Sequence, residues 1–340
     1  MTAFPLGADG LRPNPIVSGV PFDEDGVHHG FLRLPFSRDD SAWGAVMIPI
    51  TVMRNGDGPT ALLTGGNHGD EYEGPIALQG LADELRAEQV RGRVIIVPYM
   101  NAPAVRAGTR TSPHDRLNLN RCFPGRPDGA VTEKIADYFQ RTLAPMADYV
   151  LDFHSGGKTL DFLPFAAAHL LEDKAQEAAC IAAMRAFNAP YSMTLLEIDA
   201  VGMYDSAVEA MGKVFVSTEL GGGGTATARS VRIAAKGARN FLKHAGVLEG
   251  EPEIGPTTVL DMPDGDCFVF SEGEGIMEPL VDMGEMVEKG QPLVKIWAAD
   301  LTGGKPHVYS ARRSGLLCAR HFPGLVKAGD CLGVVADVLA

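Results

Sequence analysis

The chain has 340 residues, 45% of them hydrophobic and 21% charged, with a net charge of −13. That is ample apolar material for one large or two smaller cores, and the acidity argues against nucleic acid and anionic membrane as partners. No apolar run approaches the ~18 residues of a membrane span, the opening "MTAFPLGADGLRPNP" lacks the pattern of a secretory leader, and the five scattered cysteines (Cys122, Cys180, Cys267, Cys318, Cys331) contain no CxxC, so reduced thiols and a cytoplasmic location are expected.

The first sixty residues read as β structure, with "AVMIPITVM" (45–53) a strand and "RNGDGP" the turn after it. "TALLT" (60–64) is short and wholly apolar, as a strand buried on both faces would be. "GPIALQGLADELRAE" (74–88) predicts a helix with Pro75 in its first turn. "RVIIVPYMN" (93–101) is a second buried strand, and "VTEKIADYFQRTLAPMA" (131–147) has a helical period. "DYVLDFH" (148–154) returns to a strand, "EDKAQEAACIAAMRAFN" (172–188) to a helix, and "KVFVSTEL" (213–220) to a strand. "TARSVRIAAKGARNFLKHAGV" (227–247) closes the series as a helix. Strands alternating with helices predict an α/β domain with a parallel or mixed sheet over residues 1–250.

The composition changes at "LEGEPEIGPTT" (248–258), rich in Pro, Gly and acid, which reads as a linker. Beyond it the helical period stops. "MGEMVEKGQPL" (283–293) and "PGLVKAGDCLG" (323–333) form a weak repeat of β residues, a Gly turn and β residues again. A small β-sandwich or barrel is expected over 256–340. It resembles lipoyl and biotinyl carrier sandwiches, but the Met-Lys or Asp-Lys-Ala hairpin is missing, so no modified lysine is expected.

One stretch does not serve packing. "GGNHGDEYEG" (65–74) follows the apolar "TALLT" with His68, Asp70, Glu71 and Glu73. A hydrolytic zinc site needs three protein ligands and an open position. The HxxE spacing lets His68 and Glu71 reach one point from a loop entering a helix. His154 ends a predicted strand, and in open α/β sheets sites form at the carboxyl ends of strands. Asp70 and Glu73 read as supporting or solvated acids. Glu219 also ends a strand, before four glycines; it suits a general base, though a capping or solvated acid would look the same. Arg110, Arg116 and Arg121 lie in and around "LNLNRCFPG" (117–125), where a loop-pinning salt bridge is the alternative use for Arg121. Asp152, two residues before His154, is placed to accept from that histidine.

In order, "HGDE", "NLNR" with "FPG", "DFHSG" and "TELG" resemble the succinylglutamate desuccinylase/aspartoacylase family, of the zinc carboxypeptidase fold class. The likeness covers most of residues 40–245. It implies a mixed sheet flanked by helices, followed by a β domain. It implies one Zn²⁺ per chain on His68, Glu71 and His154, Glu219 as general base, and Asn120 with Arg121 gripping a substrate carboxylate. It also implies an arginine that polarises the scissile carbonyl; Arg110 fits best, with Arg116 as rival. Many members have aspartate at the position of Asn118, which weakens any role given to it.

The expected activity is a metal-dependent hydrolase of a linear amide, acting on a small N-acyl amino acid. Two other readings compete, a zinc carboxypeptidase and a non-catalytic binding protein. A base such as Glu219 argues against the last, and the β domain, which narrows access to the zinc in relatives, argues against the first. The segment 200–224 is similar to the branch that deacetylates N2-acetyl-2,4-diaminobutyrate in ectoine breakdown. Such a substrate carries a free amine, and "LLEIDAVGMYDSAVEAMG" (195–212) offers Glu197, Asp199, Asp205 and Glu209 to meet it. Assembly as a homo-oligomer is compatible with all of this.

Overall fold

The computed structural model describes Gly10 and residues 12–339; most of the opening stretch read for a leader lies outside the described residues. A long mixed sheet runs through the molecule. From one edge its first strands are Val17–Ser18, Gly26–Pro35, Ala45–Asn55, Gly92–Val97 and Thr60–Gly65. Tyr149–His154, Val214–Glu219, Phe165–Ala168 and Tyr191–Thr194 follow. Thr60–Gly65, Tyr149–His154 and Val214–Glu219 are parallel neighbours, so their carboxyl ends open on one side.

The central strands are mostly apolar up to their carboxyl ends because both faces are covered. Ala61, Leu63, Leu151 and Val216 face the helices Glu73–Glu84, Lys174–Phe187 and Ala228–His244. Leu62, Ile95, Val150 and Phe215 face the opposite layer, with Ile135, Phe139 and Tyr204. Leu62 and Leu63 are fully buried, and truncating either to alanine would cost ~2–5 kcal/mol.

Two predicted spans end early. The first helix stops at Glu84, because Leu85 turns to extended geometry and buries its side chain. That redirects the chain so that Val90 bridges Leu248. The strand over 93–101 ends at Val97, and Asn101 instead caps the short helix Ala102–Ala107, accepting from Ala104 N–H. Thr227 caps the last helix, its Oγ1 accepting from Ser230 N–H at 3.0 Å.

Beyond the linker the chain stays β. Thr258–Asp261 extends the long sheet beside Tyr191–Thr194, and Cys331–Val338 and Gly315–His321 continue it. A separate four-stranded sheet pairs His307–Ser310, Pro292–Trp297, Gly275–Pro279 and Leu325–Val326. The weak sequence repeat is a structural one: Met286–Val287 and Leu325–Val326 each lead through a glycine turn into the longer strands Pro292–Trp297 and Cys331–Val338. All five cysteines are free. No described helix is long and apolar enough to cross a membrane.

Candidate active site and metal centre

The strand Thr60–Gly65 delivers the chain to a tight loop. Gly66 has φ 67°, open to glycine at little cost. At Gly69 a Cβ would lie 2.0 Å from the Ala104 carbonyl carbon, so the close approach of two backbones excludes a side chain. This loop turns His68 and Glu71 inward, both 3% exposed. In the neighbouring strands Glu219 pairs in register with His154, so the sheet itself sets those two side by side.

His68, Glu71 and His154 converge, with one ligand atom from each within 4.8 Å of the others. His68 Nδ1 lies 2.7 Å from Glu71 Oε1, and His154 Nδ1 lies 3.0 Å from Glu71 Oε2. The far nitrogens are held as well. His154 Nε2 lies 2.8 Å from Asp152 Oδ2, and His68 Nε2 lies 3.1 Å from Asn118 Oδ1. Asp152 is fixed in turn by Thr64 Oγ1–H at 2.6 Å and by the Asn67 amide at 3.3 Å. Imidazoles oriented by outer acceptors around a carboxylate are the donor set of a divalent metal centre, and these three residues could hold such an ion.

The charges fit that use. Burial opposes ionisation of Glu71, yet His68 and His154 hold it below the usual carboxylate range. Burial drives His68 down toward the neutral form, which a metal requires. Burial also works against charge on His154, but Asp152 and Glu71 outweigh it and raise it well above its ordinary value. Glu219 is pushed well above the carboxylate range by burial, with the negative charge of Glu71 adding to it. Its Oε2 is buried without a hydrogen bond. A cation on the histidines would relieve that repulsion.

A cavity of about 140 Å³ opens over these groups. The expected ligands, base and substrate-binding residues line it: His68, Glu71, Arg110, Asn120, Arg121, His154 and Glu219. Arg110 reaches in, its Nη1 at 3.3 Å from His68 Nδ1 and 3.5 Å from Glu71 Oε1. Arg116 does not line the cavity and adopts φ 63° in the loop. Asn120 accepts from Tyr204 N–H at 2.8 Å through Oδ1. Its amide N–H groups, unbonded among the described residues, are left for a ligand. Arg121 donates to Asn120 O at 2.7 Å, and its other side-chain donors make no hydrogen bond among the described residues.

Asp70 and Glu73 are not solvated. They are 4% and 2% exposed. Asp70 accepts from Lys158 N–H at 2.9 Å and so fastens the turn after His154, while burial raises Glu73 above its ordinary range. Asn118 was discounted on the sequence, yet it orients His68. In a second group, the sequence points to the acids but not to the histidine that gathers them. His169, just past Phe165–Ala168, gathers Glu197, Asp205 and Glu209. Glu197 and Asp205 line the cavity, Glu209 sits behind it, and Asp199 lines an adjoining apolar cavity. Nothing local in "FAAAH" announces a partner some thirty to forty residues on.

Comparison with known proteins closes the question of family. A sequence profile of the succinylglutamate desuccinylase/aspartoacylase catalytic domain matches residues 57–245. The chain belongs to this family. It therefore falls among amide hydrolases. It is 56% identical over 330 residues to the N-alpha-acetyl-L-2,4-diaminobutyric acid deacetylase of Halomonas elongata, covering 96% of each chain. The product-bound ectoine utilization protein EutE (DoeB) of Ruegeria pomeroyi superposes with a TM-score of 0.95 at 67% identity, over 96% of this chain and 99% of that one. A succinylglutamate desuccinylase/aspartoacylase from Rhodobacter sphaeroides gives 0.91 at 40% identity, over 96% of this chain and 100% of that one. Both structural likenesses extend through the β region that follows the linker, so the α/β fold with an added β-sheet unit is common to these proteins.

Proposed function

We propose that the protein is a cytoplasmic zinc-dependent deacetylase that removes acetate from N2-acetyl-L-2,4-diaminobutyrate in ectoine breakdown. The observation that carries this reading is one cavity with two kinds of lining. A metal-type donor set, an acid and an arginine line it together with the carboxylates Glu197 and Asp205. The deacetylase activity by which the Halomonas relative is named supports the same substrate.

In this reading His68, Glu71 and His154 hold one Zn²⁺, which supplies a Lewis acid and lowers the pKa of water to about 7 when bound. Glu219 takes a proton from the attacking water and returns it to the leaving amine. Its raised proton affinity, set by burial, suits that double use. Arg110 supplies positive charge to the carbonyl oxygen as it becomes anionic. Arg121 and the Asn120 amide grip the substrate carboxylate, the guanidinium through its fork of donors. Residues 1–250 form the hydrolase unit and 256–340 the β unit, whose strand Gly315–His321 pairs with Leu160–Phe162, the ends of which line the cavity.

Hydrolysis of N2-acetyl-2,4-diaminobutyrate, N-acetylaspartate and N-succinylglutamate by the zinc-loaded protein tests the reading. The first should have the largest kcat/KM, because the other two place a negative group near Glu197 and Asp205. Either acidic substrate coming out best would overturn the substrate while leaving the amide hydrolase intact. Carboxy-terminal trimming of peptides in preference to all three would overturn the deacetylase.

A further inference from the structure

The second cluster takes no part in the hydrolytic steps above. His169 commits one nitrogen, with Nδ1 2.9 Å from Glu209 Oε1. Its Nε2 lies 3.6 Å from Glu197 Oε1 and is buried without a hydrogen bond. Asp205 is 6% exposed. One of its oxygens accepts from Ser206 N–H and, at 3.0 Å, from Ser206 Oγ–H. Its other oxygen makes no hydrogen bond among the described residues. Neither lysine nor arginine pairs with Glu197, Asp205 or Glu209 among those residues either.

Three carboxylates thus share one imidazole. Even with the ring protonated, the ionised cluster carries a surplus of negative charge. Burial raises Asp205 above its ordinary range, with His169 only partly offsetting it. A buried acid short of positive charge calls for a cation.

A divalent metal and an ammonium group both meet that description, since ligand atoms of His169, Glu197 and Asp205 lie within 4.8 Å of one another. One feature favours the ammonium. Glu197 and Asp205 line the cavity, whereas His169 is not among its lining residues, so a cation entering the cavity meets two carboxylates before any imidazole nitrogen.

We infer that Asp205, with Glu197, forms the subsite for the free ammonium of the substrate, and that His169 is a positioning residue that steadies Glu197. The inference rests on the proposed diamino-acid substrate and adds the residue that selects it. A primary ammonium has three donors, enough for the unbonded Asp205 oxygen and for Glu197 together. A ligand without that charge would leave the acids unpaired, which is how such a site discriminates.

The test compares N2-acetyl-2,4-diaminobutyrate with N-acetylnorvaline, which carries a methyl group where the ammonium stands. Zinc content and kcat/KM are measured for the zinc-loaded wild type, Asp205→Asn, Glu197→Gln and His169→Gln. Wild type should prefer the amine by on the order of 10²-fold or more. Asp205→Asn should erase most of that ratio, and Glu197→Gln part of it. His169→Gln should raise KM for the amine more than it lowers kcat. If Asp205→Asn does not fold, the ratio for Glu197→Gln, on a loop, decides. Equal losses on both substrates would overturn the subsite and leave the deacetylase standing. A second zinc per chain, lost in His169→Gln, would overturn it in favour of a metal site. A wild type that cleaves N-acetylnorvaline as fast as the amine would overturn it as well, and a wild type that cleaves neither would bring down the substrate reading beneath it.

Discussion

Two histidine–carboxylate clusters face one cavity, and each brings three candidate ligand atoms within 4.8 Å of one another, yet they are supported differently. In the first, two imidazoles flank one carboxylate, and each is braced from behind by a neutral or fully committed acceptor, Asn118 or Asp152. In the second, three carboxylates surround one imidazole, and one of the acids comes from a loop. The first arrangement brings two imidazole nitrogens and a carboxylate to one point, as a metal needs. The second has more acids than its one imidazole can pair with and keeps free anionic oxygens. Similar residue types within similar distances therefore present opposite chemistry, and the difference lies in the ratio of histidine to acid and in what holds the far nitrogens.

The largest effect should come from breaking the first cluster. His154→Ala should abolish both bound zinc and amide hydrolysis, read by metal analysis and a released-acetate assay; full metal content with normal turnover would remove His154 from the centre. Next is Glu219→Gln, which keeps the shape but cannot accept a proton. It should retain zinc and lose on the order of 10²–10⁴ in kcat; a wild-type rate would assign the base elsewhere.

A smaller effect is expected at the carboxylate end of the substrate, away from both clusters. Arg121→Ala should cost about 1.5–3 kcal/mol in kcat/KM for a carboxylate-bearing substrate, and much less for the corresponding amide. Equal costs on the two would make Arg121 a support for its loop.

The smallest effect sharpens the contrast between the clusters and concerns stability. His169 is raised to about 10; burial works against its charge, but the neighbouring carboxylates of Glu197, Glu209 and Asp205 outweigh it. Its unfolded value is near 6.5. The folded state thus holds the extra proton, so this contribution is fully present below pH ~6.5 and fades as pH rises toward about 10. Denaturant melts from pH 6 to 10 should show His169→Gln losing less stability over that interval than wild type does. Parallel curves would mean that the ring is neutral in the folded protein.

Much of the α/β layout was legible because strands buried on both faces carry short apolar runs, as in "TALLT" and "KVFVSTEL", while helices keep a period. Boundaries were less so. The helix after residue 73 stops at Glu84 although "LRAE" continues its pattern, because Leu85 gains more by burial than by another helical turn. The strand Phe165–Ala168 and the helix Tyr204–Glu209 were missed; the first is mostly alanine, a weak β signal, and the second is too short to show a period.

The sequence by itself singled out the first cluster's residues as candidates, since HxxE and a strand-ending histidine are local patterns, and the order of the family's motifs joined them into one expected ligand set. It also determined the change to β structure after residue 250, because the helical period simply ends. Only the tertiary structure decided that Asn118 orients His68, that Arg110 and not Arg116 enters the cavity, and that His169 collects three acids. Each of those facts depends on which side chains meet across strands and loops far apart in the chain. Hydrogen-bond partners at that separation leave no period or spacing in the sequence, because their distance is set by the sheet order and not by the number of residues between them.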